Sequence, residues 1–200
     1  VRSIRNQSNL PYQVFGAFKE TCYQRLQHGL PQCYPLPDAQ QPIVEDFSFF
    51  NQANLTILQQ AYASTLEQNM IDHWPVGETY ALDLLDEFVR KRLNHYKQAR
   101  DFPAQVGTSQ LSAYLNIGIL SIRQCIQALF RQQHGDFVIQ SESQQVWLDE
   151  LLWREFYQHI LFDFPQVSKH LPFKSSTQNI PWRDDPIALG QWQHGKTGIP

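Results

Sequence analysis

The stretch VWLDELLWREFYQHILFDF, Val146 to Phe164, holds two indoles, a phenol, a carboxylate and a guanidinium at spacings a helix would bring to one side. At about 100° per residue, Trp147, Glu150, Trp153, Arg154 and Tyr157 project within a single sector. Aromatic faces of this kind can stack a planar ligand, and a carboxylate among them can accept its N–H groups. The same residues also fit a buried helix with aromatic packing and one salt bridge. In that reading Arg154 only pairs Glu150 at i,i+4 spacing.

A second stretch, Gly107-Thr108-Ser109-Gln110-Leu111-Ser112, puts three hydroxyl residues within five positions. It lies just ahead of the apolar set Leu111, Tyr114 and Leu115. Hydroxyls at a helix start can cap the helix, or join the free amides in binding a phosphate. Gly195-Lys196-Thr197 is not a P-loop, because the upstream glycine spacing is missing.

Bulk properties narrow the choices. The 200 residues carry a formal net charge of −3, so any nucleic-acid contact must come from a local patch. Apolar content of 42% and a mean hydropathy of −0.43 describe an ordinary soluble protein. No apolar run approaches the roughly 20 residues of a membrane helix, and no signal-peptide pattern opens the sequence. Cys22, Cys33 and Cys125 are widely spaced with no C-x-x-C pair, which predicts a reduced, cytoplasmic chain and no zinc site. The seven histidines form no H-x-x-x-H pair, so no metal is expected. Five Trp, eight Tyr and thirteen Phe are mostly what an aromatic-rich helical core would use.

Several helices must position these residues. Val14, Phe15, Phe18, Cys22 and Leu26 follow helix spacing, and Gly29 and Pro31 end that helix. From Tyr34 the pattern dissolves into a proline-punctuated linker, with a short helix expected over Leu55 to Asn69. Leu82, Leu85, Phe88, Val89, Leu93 and Tyr96 predict one regular helix over about residues 78–97. Its other face carries Arg90, Lys91, Arg92 and Lys97, with Arg100 just beyond. A solvated face is the ordinary reading of such a charge run, and a contact with a phosphate backbone is the other. Gly118 breaks the chain, and Ser121-x-x-Gln124 opens a helix carrying Ile122, Cys125, Ile126, Leu129 and Phe130. Ser141-x-x-Gln144 offers a second capping box ahead of Val146–Phe164, and Pro165 supplies the stop. Leu148, Leu151, Leu152, Phe156, Ile160 and Leu161 should be buried. A last short helix runs through Leu189 and Trp192 to Gly195.

The ordered run from Trp147 to Tyr157 resembles the W-L-x-E-L-x-W-R-E-F-Y signature of the DNA photolyase and cryptochrome family. Gly107–Ser112 is similar to the family's G-T-S-R-L-S, with Gln110 where Arg is usual. Leu120–Gln124 resembles its L-S-x-R-Q element, and Pro11–Lys19 contains a segment similar to its Y-x-V-F-x-x-F-K. The final GKTGIP resembles G-K-T-G-Y-P, with Ile199 in place of Tyr. Glu150 resembles cyclobutane-dimer photolyases of the bacterial class I type, where (6-4) photolyases and animal cryptochromes tend to carry Gln.

The resemblance implies a mainly α fold and a central fragment of a longer protein. Residues 1–33 would close an α/β antenna domain, 34–72 form the interdomain linker, and 73–200 begin the helical FAD-binding domain. It implies light-driven repair of pyrimidine dimers in damaged DNA, with FAD as cofactor and a folate antenna in the parent protein. No membrane and no obligate protein partner is implied. Glu150 and Trp153 would hold the dimer, with Arg100 and Arg154 as further DNA contacts. Trp182 would be the surface end of an electron-transfer chain. Tyr96, Thr108, Ser109, Gln110, Leu111, Ser112 and Trp147 would line the flavin site, and Lys169 would lie near the folate. A cryptochrome that signals without repair keeps the same flavin pocket. A non-catalytic helical interaction domain must treat the ordered match as coincidence.

Overall fold

The computed structural model describes residues 3–34 and 74–198, and these form helices and turns joined by loops, with no strand among them. Helix α1 spans Phe15–Gln27 and buries Phe18, Cys22 and Leu26, one residue per turn. Val14 is its exposed N-cap and not part of the apolar face. The expected linker and the helix expected over Leu55 to Asn69 lie outside the described residues, apart from the linker's first residue.

The region expected to be one regular helix is not regular. Helix α2, Glu78–Glu87, runs into a π-helical turn at Phe88–Arg92, a 3-10 turn at Leu93–His95 and then helix α3, Tyr96–Ala99. The buried set explains the change. Ala81, Leu85 and Phe88 advance by four and three residues, but the next buried side chain, Leu93, is five further on. Five α-helical steps would rotate Leu93 about 140° off the inner face, and the wider π turn brings it back. Leu82, assigned to the stripe from sequence, is exposed, and Ala81 takes the inner position.

Helix α4, Ser112–Asn116, is followed by Gly118 at φ 79° and then by helix α5, Ile122–Leu129. The Ser121–Gln124 capping box forms in both directions, Gln124 N donating to Ser121 Oγ and Ser121 N to Gln124 Oε1. Cys125, Ile126, Leu129 and Phe130 are buried, as their spacing predicts.

Helix α6, Glu142–Asp163, is the long central element, and it starts four residues before Val146. Ser141 caps it by accepting from Gln144 N at 3.1 Å. The expected return half of the box is absent. The Gln144 side chain instead accepts from Gln140 N and donates to Leu129 O, which fastens α6 to the end of α5. Leu148, Leu151, Leu152, Phe156 and Ile160 are buried, but Leu161 is exposed, because Ile160 and His159 occupy the inner side of that turn. Ser143 is also buried. Its hydroxyl donates to Asn94 O and accepts from Lys97 N, which satisfies backbone groups that the irregular 88–95 segment sets free.

α1 packs against α6. The Tyr23 hydroxyl donates to Asp149 Oδ1 at 2.7 Å and Lys19 reaches Asp149 Oδ2 at 3.2 Å. Arg5 forks onto Asp163 through two 2.8 Å bonds. One apolar cluster joins Ile4 and α1 to α2, α3, α5 and α6. Helix α7, Pro186–Gln193, is capped by Asp185, which accepts from Ala188 N at 2.9 Å. That bond, with Arg183 beside it, lowers the Asp185 carboxyl below its ordinary value. No helix among the described residues is long and apolar enough to cross a membrane.

Candidate functional site

The five residues that share a sector of α6 do not share an environment. Trp147 is 2% exposed and lies in the core, its ring tilted 48° against Phe88 at 5.0 Å. It does not face a ligand-accessible surface. The helical wheel could not reveal this, because Phe88 arrives from another element.

Glu150 keeps 41% of its side-chain surface exposed, and its partner is Arg100, whose Nη1 donates to Glu150 Oε1 at 2.7 Å. The pairing with Arg154 expected from i,i+4 spacing is not made. Arg154 turns the other way, donating from Nη2 to Leu115 O at 2.9 Å. Leu115 is buried, and its carbonyl needs a donor that Arg154 supplies. The Arg100 guanidinium also lies 5.4 Å from the centre of the Tyr96 ring. Its bond to Glu150 holds it more firmly protonated, and burial raises the Tyr96 phenol above its ordinary value.

Trp153 is half-buried, one turn beyond Glu150. Phe15 of α1 covers its indole, with centroids 3.6 Å apart and planes within 11°. Tyr157 flanks it at 5.5 Å and 23°. Sequence reasoning gave Phe15 no place in the site. Only the docking of α1 on α6 reveals it.

The hydroxyl loop connects to this group through α3. Gly107 is buried against Ala99, the residue before Arg100. A Cβ at 107 would lie 2.5 Å from Ala99 Cβ and 2.7 Å from its backbone C and O. Leu111 is buried and anchors the far end of the loop. The helix that follows, α4, has no side-chain cap, so the hydroxyls of Thr108, Ser109 and Ser112 are not spent on capping. Thr108 and Ser112 are exposed and Ser109 is half-exposed. The backbone N–H groups of Thr108 to Leu111 donate to no backbone carbonyl among the described residues. Gln110 sits at φ 57°, followed by Leu111 at φ −92° and ψ −3°. A left-handed residue followed by a right-handed one turns successive N–H groups towards a common side, a concavity suited to an anion. These donors fit a phosphate group.

Arg92, read from sequence as part of a solvated face, donates from Nη1 to Thr108 O at 3.0 Å. Trp182 is 84% exposed on a loop, and Lys169, at the end of a 3-10 turn, is also exposed. The structure therefore brings Tyr96, Arg100, Glu150 and Trp153 together and joins them to residues 107–112. Trp147 lies beneath, while Arg154 is turned aside.

Comparisons with known proteins agree with this architecture. Residues 147–200 match the family described as the FAD binding domain of DNA photolyase. The deoxyribodipyrimidine photo-lyase of Escherichia coli is 37% identical over 94% of the chain, which spans 38% of that protein. The protein of the same name from Buchnera aphidicola (Acyrthosiphon pisum) is 34% identical over the whole chain, which spans 39% of it. A bacterial class III photolyase from Agrobacterium tumefaciens matches in structure with a TM-score of 0.64 and 26% identity, over 96% of the chain and 38% of that protein. The fold is that of a helical segment of a flavin-binding domain. The chain belongs to the DNA photolyase family, and it spans about two fifths of the curated relatives it matches.

Proposed function

We propose that the protein to which this segment belongs is a deoxyribodipyrimidine photolyase, which splits cyclobutane pyrimidine dimers in DNA using light. In this reading residues 73–200 begin its FAD-binding domain, residues 1–33 end its antenna domain, and 34–72 link the two. The antenna would be a folate near Lys169. The supporting observation is the triad of Arg100, Glu150 and Trp153: a carboxylate held by a cation yet open to solvent, one turn from an aromatic plate.

FAD, once reduced and excited by light, supplies the electron that the reaction needs. The chain's own residues bind and orient. Thr108, Ser109 and Ser112, with the amides of residues 108–111, hold the diphosphate, and Gln110 shapes that turn. Tyr96 and Leu111 form the wall behind it. Trp147 supports that wall from the core through Phe88. A dimer flipped out of the duplex offers base faces to Trp153 and N–H groups to Glu150. Arg100 aims Glu150 through their 2.7 Å bond and presents positive charge to the neighbouring phosphates. Arg154 acts on DNA only indirectly, by fixing the α4 end through Leu115 O. Trp182, at the surface, is the outer end of an electron relay to the flavin.

The Phe15–Trp153 stack favours a second reading. One face of the plate is already covered, which suits a cryptochrome that keeps flavin and signals without repair. One experiment separates the two. The full-length protein, reduced, is given an oligonucleotide with one thymine dimer in blue light and in darkness. Repair in light alone upholds the photolyase reading. Bound FAD without repair in either condition upholds the cryptochrome reading, and absence of FAD overturns both.

A further inference from the structure

The residues from Gly107 to Ser112 include no Lys or Arg, so this loop has no cation of its own to set against an anionic ligand. The nearest guanidinium bonded to it comes from the π-helical turn. Arg92 closes that turn and is the residue at which the helix changes to 3-10 geometry, with φ −116° and ψ −24°. Single π turns inside helices re-aim one side chain relative to the α-helical path. Here the re-aimed side chain crosses to the loop. Its Nη1 donates to Thr108 O at 3.0 Å, and its guanidinium carbon lies 5.7 Å from the centre of the Phe88 ring. Its Nε is buried with no acceptor. An unpaired buried N–H has a cost, which the bond to Thr108 O and the contact with the Phe88 ring must offset.

The bond to Thr108 O has a geometric consequence. In a trans peptide the C=O and the following N–H point in opposite directions. Tying Thr108 O back to Arg92 therefore turns Ser109 N–H away from the helix, to the side where Gln110 at φ 57° continues the turn. We infer that Arg92 is the positioning residue of the hydroxyl loop. It sets the Thr108–Ser109 peptide so that the amides face an incoming diphosphate, and it supplies the positive charge behind a loop that carries none. The inference rests on the FAD reading above and adds to it a residue outside the loop.

The test uses the full-length protein stripped of flavin and refilled. Affinities for FAD and for riboflavin, which has the same ring system and no diphosphate, are measured for wild type, Arg92→Met and Arg92→Lys. Thermal unfolding of each reports the fold. Loss of a charged hydrogen bond should weaken FAD about ten- to a hundredfold in Arg92→Met, with riboflavin affinity unchanged within about twofold. Arg92→Lys, which keeps the charge, should recover part of the loss. Equal FAD affinity in folded Arg92→Met and wild type overturns the inference. Equal losses for FAD and riboflavin overturn it too, because they mark a general packing role. Should Arg92→Met not fold, Arg92→Lys decides: a selective loss for FAD upholds the inference and no loss overturns it. Wild type that binds neither flavin overturns the FAD reading itself, and the inference with it.

Discussion

Phe15 and Trp153 stack face to face, 3.6 Å between centroids, although 138 positions separate them in the chain. The pair joins α1 to the aromatic end of the candidate dimer site, with Phe156 closing the edge at 5.9 Å from Phe15. Phe15→Ala should therefore act on two observables at once. Loss of the ring from a half-buried position should lower stability by about 2 kcal/mol, less than a fully buried Phe would. Trp153 would lose its backing and its fixed plane, so dimer affinity of the full-length protein should fall about tenfold while FAD content stays the same. Denaturant unfolding and a binding titration with dimer-containing DNA check the two effects. Unchanged affinity in the folded variant would remove Phe15 from the site.

Arg100 and Glu150 give the opposite balance. The pair is short, but the carboxylate is 41% exposed, and an ion pair so open to water contributes about 0–1 kcal/mol. Glu150→Gln keeps the shape and removes the charge. It should change unfolding free energy by less than about 1 kcal/mol and weaken dimer binding about tenfold or more, because an N–H of the lesion then loses a charged acceptor. Arg100→Ala in a double-mutant cycle with Glu150→Gln should yield coupling in DNA binding and little in stability. A stability loss of several kcal/mol would instead identify the pair as a structural bridge.

What could be read in the chain, and what could not, divides along local and tertiary lines. α6 was legible because it lacks Gly and Pro, carries a serine cap and stops at Pro165. The Ser121 box and the end of the last helix near Gly195 were legible for the same local reasons. The π turn was not, since Leu82 and Val89 complete an apparent α stripe with Leu85, Phe88 and Leu93, and only packing reveals that Ala81 faces inwards in place of Leu82. The Glu150–Arg154 pairing failed because i,i+4 spacing describes an isolated helix, whereas Arg100 and Leu115 O come from elsewhere. Trp147 shares a sector with Glu150 by angle but meets Phe88 in three dimensions. The motifs named the candidate residues, and tertiary packing decided which of them stand together.

Gly107 should tolerate no side chain. Its absent Cβ would meet Ala99 Cβ at 2.5 Å and Ala99 backbone at 2.7 Å, and a backbone cannot swing aside as a flexible side chain can. Gly107→Ala must push the loop off α3, at a cost of about 1–3 kcal/mol. The displacement would also lengthen the Arg92–Thr108 bond. Flavin retention through gel filtration should fall in the full-length Gly107→Ala variant. Combining it with Ala99→Gly, which removes one of the clashing atoms, should restore part of it. Wild-type retention in Gly107→Ala would refute the close packing.

Thiol chemistry offers a test that needs no cofactor. Burial pushes Cys22 and Cys125 up from the ordinary 9.0 to about 12, while Cys33 is exposed. The thiolate is the reactive form, so at pH 8 a thiol reagent should label Cys33 rapidly and the other two only on unfolding. The same shifts set the sign of the alkaline response. In the unfolded chain these thiols ionise near 9, and in the folded chain they hold their protons to about 12. The stability they contribute is complete below pH 9 and is lost as pH rises through about 12, because the unfolded state then releases protons first. The raised Tyr23 phenol acts in the same direction, its shift caused first by burial and then by its bond to Asp149. Denaturation midpoints measured in steps from pH 8 to 11 should therefore fall steadily above pH 9. Cys22→Ala and Cys125→Ala should each flatten that fall. A flat profile in the wild type, or rapid labelling of three thiols at pH 8, would mean that α1 and α5 do not seal these positions in solution.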